Sequence, residues 1–378
     1  MSGIYFHIPF CKQACYYCDF HFSTSLKKKD ALLQCLTKEL QLRHDEFQNE
    51  MVETIYFGGG TPSLLTVEEL QLLINAVYGN FKVAESPEIT LEANPDDLTP
   101  EKIEALAASR INRLSIGIQS FFDEDLKGMN RAHNAYEAKQ ALELAAQLFD
   151  NITIDLIYGI PNMDLKKWDQ NLQMAFDFGV QHISSYALTV EPKTALDSFV
   201  KKGTYPPVDE ALALEHFNHL MERTTAEGFV HYEISNFGKP GFYSKHNTSY
   251  WQGKPYLGIG PSAHSFNAKR RSWNVPNNSA YIKAIIESEL PSTVEELSVE
   301  DQYNEYVMTG LRTIWGVSLD KIESDFGANF KEYILKAAKP HLENGVLAFS
   351  KGDEASLCTT SKGKFLADGI ASDLFFVS

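Results

Sequence analysis

Residues 7–18 read HIPFCKQACYYC and place three of the chain's five cysteines directly after a short apolar run that predicts a first strand. These residues, Cys11, Cys15 and Cys18, have the spacing C-x3-C-x2-C. Three thiolates can hold three irons of a [4Fe–4S] cube and leave the fourth iron free to bind a ligand. Catalytic zinc keeps an open coordination position in the same way. Three unrelated cysteines are the alternative, but clustering of this kind in a chain with no visible export signal favours a metal site.

The composition of the chain is ordinary for a globular protein in water. Of 378 residues, 44% are hydrophobic and 22% are charged, and no run reaches the roughly 18 apolar residues of a membrane span. The formal net charge of −16 argues against a non-specific nucleic-acid binder and leaves only peripheral membrane contact open. An odd cysteine count without a signal peptide predicts a cytoplasmic protein.

Short apolar runs alternate with segments of helical spacing through the first half of the chain. The predicted strands are Ile4–Ile8, Thr54–Phe57, Glu88–Glu92, Arg113–Ile118, Ile152–Tyr158 and His182–Leu188. The predicted helices are Lys29–Glu46, Val67–Tyr78, Pro100–Ala108, Ala135–Leu148 and Leu165–Phe178. This alternation predicts an α/β fold with a parallel sheet. Six such units fit a partial (β/α)6 barrel, TIM-like but lacking part of its wall, and a flat doubly wound sheet is the alternative.

Unusual residues stand at the carboxyl ends of these strands, the edge where parallel α/β barrels build their sites. The segment Gly58–Pro62 (GGGTP) follows the second strand, Glu92 ends the third, Gln119 follows the fourth, and Asp155 lies in the fifth. Taken singly, the glycines are equally explained by a tight turn, and the polar residues by caps or salt bridges. Bare backbone can, however, approach a ligand closely and donate N–H groups to it. Their convergence with the cysteine loop on one rim predicts a ligand site there.

The pattern changes from about Glu191, where prolines and aromatic residues become frequent and indicate an extension or cover of the barrel. A linker is predicted near Pro291–Ser298. The elements predicted beyond it are three helices and a hairpin-like run, Tyr303–Thr313, Leu319–Phe326, Phe330–Leu342 and Val346–Ser350. They suggest a small winged-helix-like α+β domain, and its 8 basic and 11 acidic residues after residue 300 argue against DNA binding. We expect domain boundaries at 1–190, 191–295 and 296–378.

A second cluster of chemically versatile residues lies at Lys245–Trp251 (KHNTSYW). His246 is a candidate axial ligand of haem iron, and Tyr250 and Trp251 could pack on a porphyrin face. A lone histidine is more often a hydrogen-bonded or exposed side chain, and aromatic residues are also common in cores. The residues alone therefore do not distinguish a haem site from ordinary packing.

Arg131 has two equally weighted interpretations: it could pair with a carboxylate, or it could stay solvated at a helix edge.

Taken together, the three-cysteine loop and the GGGTP segment resemble the radical SAM superfamily. The fuller string HIPFCKQACYYC resembles the branch that holds oxygen-independent coproporphyrinogen III oxidase and the HemW-type haem chaperones. The similarity extends over nearly the whole chain, including a HemN-like C-terminal domain. The resemblance implies a partial radical SAM barrel in residues 1–190.

The resemblance also implies roles for individual positions. Cys11, Cys15 and Cys18 would ligate a [4Fe–4S] cluster whose open iron is chelated by S-adenosylmethionine (SAM). The positions that match the family's SAM contacts are Tyr5, Gly59, Gly60, Thr61, Glu92, Gln119, Arg131, Asp155 and Ala187. One electron from the cluster would split SAM into methionine and a 5′-deoxyadenosyl radical, while the protein orients both groups and excludes water.

Two departures distinguish the chain from the oxidase. Phe20 stands where the oxidase has a fourth cysteine, and ten residues precede Cys11 where the oxidase has a long arm. In contrast, His246, Asn247, Tyr250 and Trp251 fit the H-N-x-x-Y-W signature of HemW-type proteins, in which this segment is linked to haem binding.

The resemblance therefore implies a cytoplasmic haem chaperone that carries a [4Fe–4S] cluster and SAM. Its partners would be haem and a haem-acceptor protein, expected to be a respiratory enzyme; turnover of SAM and a homodimer are left open. One alternative is oxidative decarboxylation of coproporphyrinogen III to protoporphyrinogen IX. Another is a structural protein with a vestigial cluster, which would neither cleave SAM nor bind haem.

Overall fold

The computed structural model describes residues 2–47, 50–350 and 356–377. Its first half alternates strands and helices as the pattern predicts. The strands are β1 (Ser2–Ile8), β2 (Val52–Gly59), β3 (Val83–Ala93), β4 (Arg113–Gln119), β5 (Ile152–Tyr158) and β6 (His182–Ala187). The helices are α1 (Lys29–Leu42), α2 (Val67–Asn80), α3 (Pro100–Ala107), α4 (Asp123–Gly128), α5 (Ala135–Leu148) and α6 (Leu165–Asp177).

Local signals explain where these helices begin and end. Thr66 with Glu69 forms a capping box at the start of α2, and Asn134 with Glu137 forms one at the start of α5. Backbone N–H groups that have no partner within the helix are thereby satisfied at the N-terminus of each helix. The helix predicted to reach Glu46 is shorter in the structure: α1 ends at Leu42, and a 3₁₀ turn follows it.

The middle of the chain adds elements to both ends of the sheet. They are α7 (Ala195–Lys201), α8 (Glu210–Ala226), β7 (Val230–Glu233), β8 (Asn236–Gly238), α9 (Lys245–Trp251), β9 (Tyr256–Ile259), β10 (His264–Phe266), β11 (Arg270–Asn274), α10 (Asn278–Ile286) and β12 (Ser292–Glu296). The predicted linker near Pro291–Ser298 is wrong, because β12 occupies most of it and pairs antiparallel with β11. Cross-strand ion pairs of Arg270 with Glu296 and of Arg271 with Glu295 favour this register.

The last part of the chain forms helices around a small antiparallel sheet. Its elements are α11 (Val299–Leu311), β13 (Val317–Ser318), α12 (Leu319–Phe326), α13 (Ala328–Glu343), β14 (Leu347–Phe349), β15 (Ser356–Thr359) and α14 (Ala367–Asp373). The three strands lie in the order β13-β15-β14. The predicted helices followed by a hairpin-like run are therefore confirmed, because β14 and β15 pair antiparallel. Residues 351–355, between these strands, lie outside the described residues.

The large sheet has the order β12-β11-β10-β9-β1-β2-β3-β4-β5-β6-β8-β7. Strands β1 to β6 are neighbours in chain order and pair in parallel throughout. A doubly wound sheet reverses its strand order at a switch point, and these six strands do not. Right-handed crossovers then place their helices on one face, as in a barrel. Within the described residues β12 and β7 do not pair, so the predicted partial barrel is confirmed and its wall is open.

Apolar side chains form two separate cores. The larger core runs from Ile4 to Ile285, and the smaller one from Tyr303 to Leu374. The first two predicted domains share the larger core, so the boundary at residue 190 stays a prediction. Among the described helices, none has both the length and the apolar character of a membrane span.

Candidate functional site

The loop after β1 brings the three clustered cysteines to the carboxyl rim of the barrel. All three are free and partly exposed. Burial raises the pKa of the Cys18 thiol to about 11 and also raises that of Cys11, which hydrogen-bonds Thr61. Thiols with raised pKa values stay protonated at neutral pH until a cation stabilises the thiolate, and bound metal supplies that charge.

The glycine segment holds this loop against the barrel. The N–H of Gly60 donates to the Ile8 carbonyl at 2.9 Å, and the N–H of Thr61 donates to the Phe10 carbonyl at 2.7 Å. A Cβ on Gly60 would meet the Phe10 and Ile8 carbonyl oxygens at 2.7 and 2.8 Å, so no larger residue fits without moving backbone. The sequence suggested that these amides face a ligand; the structure instead uses two of them to clamp the cysteine loop.

A cavity of about 380 Å³ opens at this rim and collects most of the predicted SAM positions. Eight of the nine line it, namely Gly59, Gly60, Thr61, Glu92, Gln119, Arg131, Asp155 and Ala187. Tyr5 is the exception, because its ring packs against the neighbouring rings of Tyr56 and His246 and does not line the cavity. Tyr17, Phe20, Asn94 and Tyr186 also line the cavity. Reasoning from sequence missed Asn94 and Tyr186 as site residues, although Asn94 follows Glu92 by two positions.

Two carboxylates lie in the cavity wall with raised pKa values. Burial is the main cause for both: it raises the pKa of Glu92 to about 7 and that of Asp155 to about 6. The negative charge of Asp155 adds to the shift of Glu92, while the Tyr56 hydroxyl, which donates to Glu92 at 2.8 Å, opposes it. Near neutral pH the pair can hold a proton or accept hydrogen bonds from a ligand amine or ribose hydroxyls.

Arg131 connects the cysteine loop with the cavity. Its Nη1 donates to the Cys15 Sγ at 3.4 Å and to the Tyr17 hydroxyl at 3.2 Å, and its Nη2 donates to the Asn94 Oδ1 at 2.7 Å. No described carboxylate pairs with it, and its buried Nε has no hydrogen-bond partner among the described residues. A buried, unpaired guanidinium donor at a cavity wall suits an anionic ligand group, such as a carboxylate.

The segment predicted to bind haem forms α9, and its histidine is buried. His246 is 1% exposed. Its Nδ1 lies 2.7 Å from the Thr54 Oγ1, and its Nε2 lies 2.6 Å from the Tyr250 hydroxyl. The ring also stacks on Tyr56. Both ring nitrogens are therefore engaged inside the protein, and neither is available to iron in this conformation.

The other residues of the α9 motif face different places. Asn247 lines a small cavity of about 60 Å³ that it shares with Glu92 and Asp155. Tyr250 and Trp251 line a separate cavity of about 800 Å³, which lies between strands β9 to β11 and helices α11 and α12. The four predicted haem residues therefore do not line one common cavity. The large cavity is a site that reasoning from sequence missed, because its walls come from segments far apart in the chain.

Comparison with known proteins identifies the class. Residues 5–175 match the radical SAM superfamily, and residues 297–366 match the HemN C-terminal domain. The structure of the coproporphyrinogen III oxidase HemN of Escherichia coli, a radical SAM enzyme, superposes on this chain with a TM-score of 0.84. The match covers 99% of this chain and 90% of HemN. Because the sequence identity is 23%, this similarity supports the fold alone. The partial barrel with a three-cysteine loop at its rim is that of a radical SAM protein.

More similar relatives narrow the assignment. The heme chaperone HemW of Bacillus subtilis is 33% identical over 374 residues, which cover 98% of both chains. The heme chaperone HemW of Lactococcus lactis is 36% identical and covers 88% of this chain and 86% of its own, and that of Escherichia coli is 38% identical over 69% of each. The chain belongs to the HemW family.

The residues present fit the groups that radical SAM proteins carry. Within the described residues no three His, Cys, Asp or Glu side chains converge on a single metal ion. A [4Fe–4S] cube does not need that geometry, because Cys11, Cys15 and Cys18 would each hold a different iron. The unpaired Arg131 Nε and the two carboxylates match a ligand with one carboxylate, one amine and a ribose, as SAM has. When bound, the two groups supply one-electron chemistry.

Proposed function

We propose that this protein is a haem chaperone: it binds haem and passes it to an acceptor haem protein. The observation that carries the proposal is similarity over 98% of the chain to a relative named heme chaperone HemW. The exposed Phe20 supports it, because the oxidase branch has a cysteine at this position and the exposed side chain lines the cavity at the rim.

The finer parts of the proposal concern the partner and the setting. The acceptor is a respiratory haem enzyme, the protein acts in the cytoplasm, and Cys11, Cys15 and Cys18 hold the cluster beside SAM. Apolar porphyrin surface requires a carrier in water, and haem left free associates with other apolar surfaces. A carrier that binds haem reversibly would deliver it to the acceptor without losing haem to other apolar surfaces.

A haem titration followed by absorption spectroscopy tests the proposal. Anaerobically reconstituted protein is titrated with haem, and the same preparation is incubated with coproporphyrinogen III, SAM and a reductant. We expect saturable haem binding and no protoporphyrinogen IX. Protoporphyrinogen IX formation without saturable haem binding would replace the chaperone by the oxidase, and neither activity would leave the structural alternative.

A further inference from the structure

The large cavity beside α9 has the composition of a porphyrin site. Its volume of about 800 Å³ lies within the range of cofactor pockets. Its walls are rich in rings, contributed by Tyr250, Trp251, Tyr256, Phe266, Tyr306 and Phe326. Flat apolar walls of this kind match the faces of a porphyrin ring, which bury well against aromatic side chains.

The same cavity presents an available iron ligand. His264 lines it from β10, and its side chain is exposed, in contrast to the buried His246. No described residue forms a hydrogen bond or an ion pair with the His264 ring, and the Trp273 ring stacks near it at a centroid distance of 6.1 Å. Met308 lines the cavity from α11. Imidazole and thioether are both established ligands of haem iron.

Two cations at the cavity suit the acidic edge of haem. Arg271 pairs with Glu295 and Glu305, and Lys321 pairs with Asp325. These partners are partly exposed carboxylates, and Glu305 and Asp325 line the cavity beside the cations. A partly exposed ion pair of this kind contributes at most about 1 kcal/mol. Haem propionates are also carboxylates and can take their places at the guanidinium and ammonium groups.

We infer that this cavity is the haem site, with the His264 imidazole on the iron and with Arg271 and Lys321 at the propionates. The inference rests on the proposed function and deepens it. Binding replaces a water on ferric iron by the imidazole nitrogen and changes no oxidation state. The buried His246 then acts as a positioning residue, because it fixes Tyr250, whose ring forms part of the cavity wall.

The test compares ferric haem titrations of the whole protein and of two histidine variants. His264→Ala should weaken haem binding by at least about tenfold, the effect of losing roughly 1.4 kcal/mol, and should shift the Soret band. His44→Ala, which removes an exposed histidine beside α1, is the matched control and should leave both unchanged. Circular dichroism checks that both variants are folded.

A charge reversal tests the propionate contacts in the same assay. Lys321→Glu should weaken haem binding, whereas Lys339→Glu, at an exposed position on α13, should not. Saturable binding that is identical in wild type, His264→Ala and Lys321→Glu would overturn this site and keep the haem function. No saturable binding by the wild-type protein would overturn the proposed function itself.

Discussion

Burial of the ionisable Glu92 side chain at the rim cavity lowers the free energy of unfolding when the carboxylate is charged. Its pKa is about 7 in the folded protein because of burial, whereas an unfolded glutamate has its ordinary value of 4.5. Between these values the folded state holds a proton that the unfolded state has released. The folded state therefore binds more protons, and the contribution of Glu92 to stability falls as the pH rises through this window.

Replacing this carboxylate by its neutral isostere removes the penalty. Glu92→Gln should raise the free energy of unfolding of the cofactor-free protein at pH 8 by up to about 3 kcal/mol, with little change at pH 5. Urea unfolding at both pH values measures this, and Glu85→Gln at an exposed position of β3 is the control. An equal gain at both pH values would contradict the burial account.

His246 gives the second prediction at this scale. Removing its ring leaves the Thr54 and Tyr250 hydroxyls without their partner and opens a cavity beside Tyr56. His246→Ala should lower the free energy of unfolding by about 2–4 kcal/mol, as expected for an unpaired buried group plus a cavity. Urea unfolding would reveal it, and unchanged stability would contradict the buried position of the ring.

These residues also show what a sequence can and cannot predict. Many of the positions lining the rim cavity were predictable because they stand at strand ends, and parallel strands end at one edge. Arg131, which follows α4, was predicted there only from the family resemblance. The environment of His246 was not, because its partner Thr54 lies 192 positions away in the chain. Local sequence reports residue type and spacing, whereas the hydrogen bonds that use up an imidazole come from tertiary packing.

At the scale of elements, β1, the cysteine loop and β2 act as one unit. Ile8 pairs with Gly59 at the end of the strands, and the amides of Gly60 and Thr61 then continue the contact into the loop. The loop is thereby fixed by backbone hydrogen bonds before any metal binds. Preorganisation of this kind lowers the entropy that cluster binding must overcome.

A glycine substitution tests this unit. Gly60→Ala should displace the loop and lower the iron and sulfide content after anaerobic reconstitution by half or more, an order-of-magnitude expectation for a strained backbone contact. Gly79→Ala, near the end of α2, is the matched control, because a Cβ there meets nothing within 4 Å. Equal cluster content in the two variants would show that the glycine clamp is not needed.

Elements were predicted best where their periodicity was strong and their packing local. Strand β5 begins and ends at the predicted residues, and α5 does too. The segment near Pro291–Ser298 was predicted as a linker because Pro291 and the polar residues after it are typical of open chain. It forms β12 instead, because ion pairs with β11, which lies elsewhere in the sequence, stabilise it as a strand. An edge strand tolerates such a sequence, because one of its sides needs no partner.

At the scale of the whole molecule, α9 lies between two cavities. Asn247 lines the small cavity of about 60 Å³ that it shares with Glu92 and Asp155, while Trp251 lines the large cavity near the C-terminal helices. The backbone N–H groups of Lys245 and His246 donate to Glu88 of β3 at 3.1 and 3.0 Å, which anchors the helix to the barrel. The arrangement keeps the SAM positions and the proposed haem cavity apart on opposite ends of one short helix.

Transfer of haem is the most direct test of the chaperone proposal. Haem-loaded protein is mixed with the apo form of a b-type respiratory haem enzyme and, separately, with apomyoglobin as a passive scavenger, and the absorption change is followed in time. We predict faster transfer to the respiratory apoprotein than to the scavenger, because delivery proceeds through contact of the two proteins. Equal rates set by spontaneous haem release would contradict the account, since the protein would then only store haem.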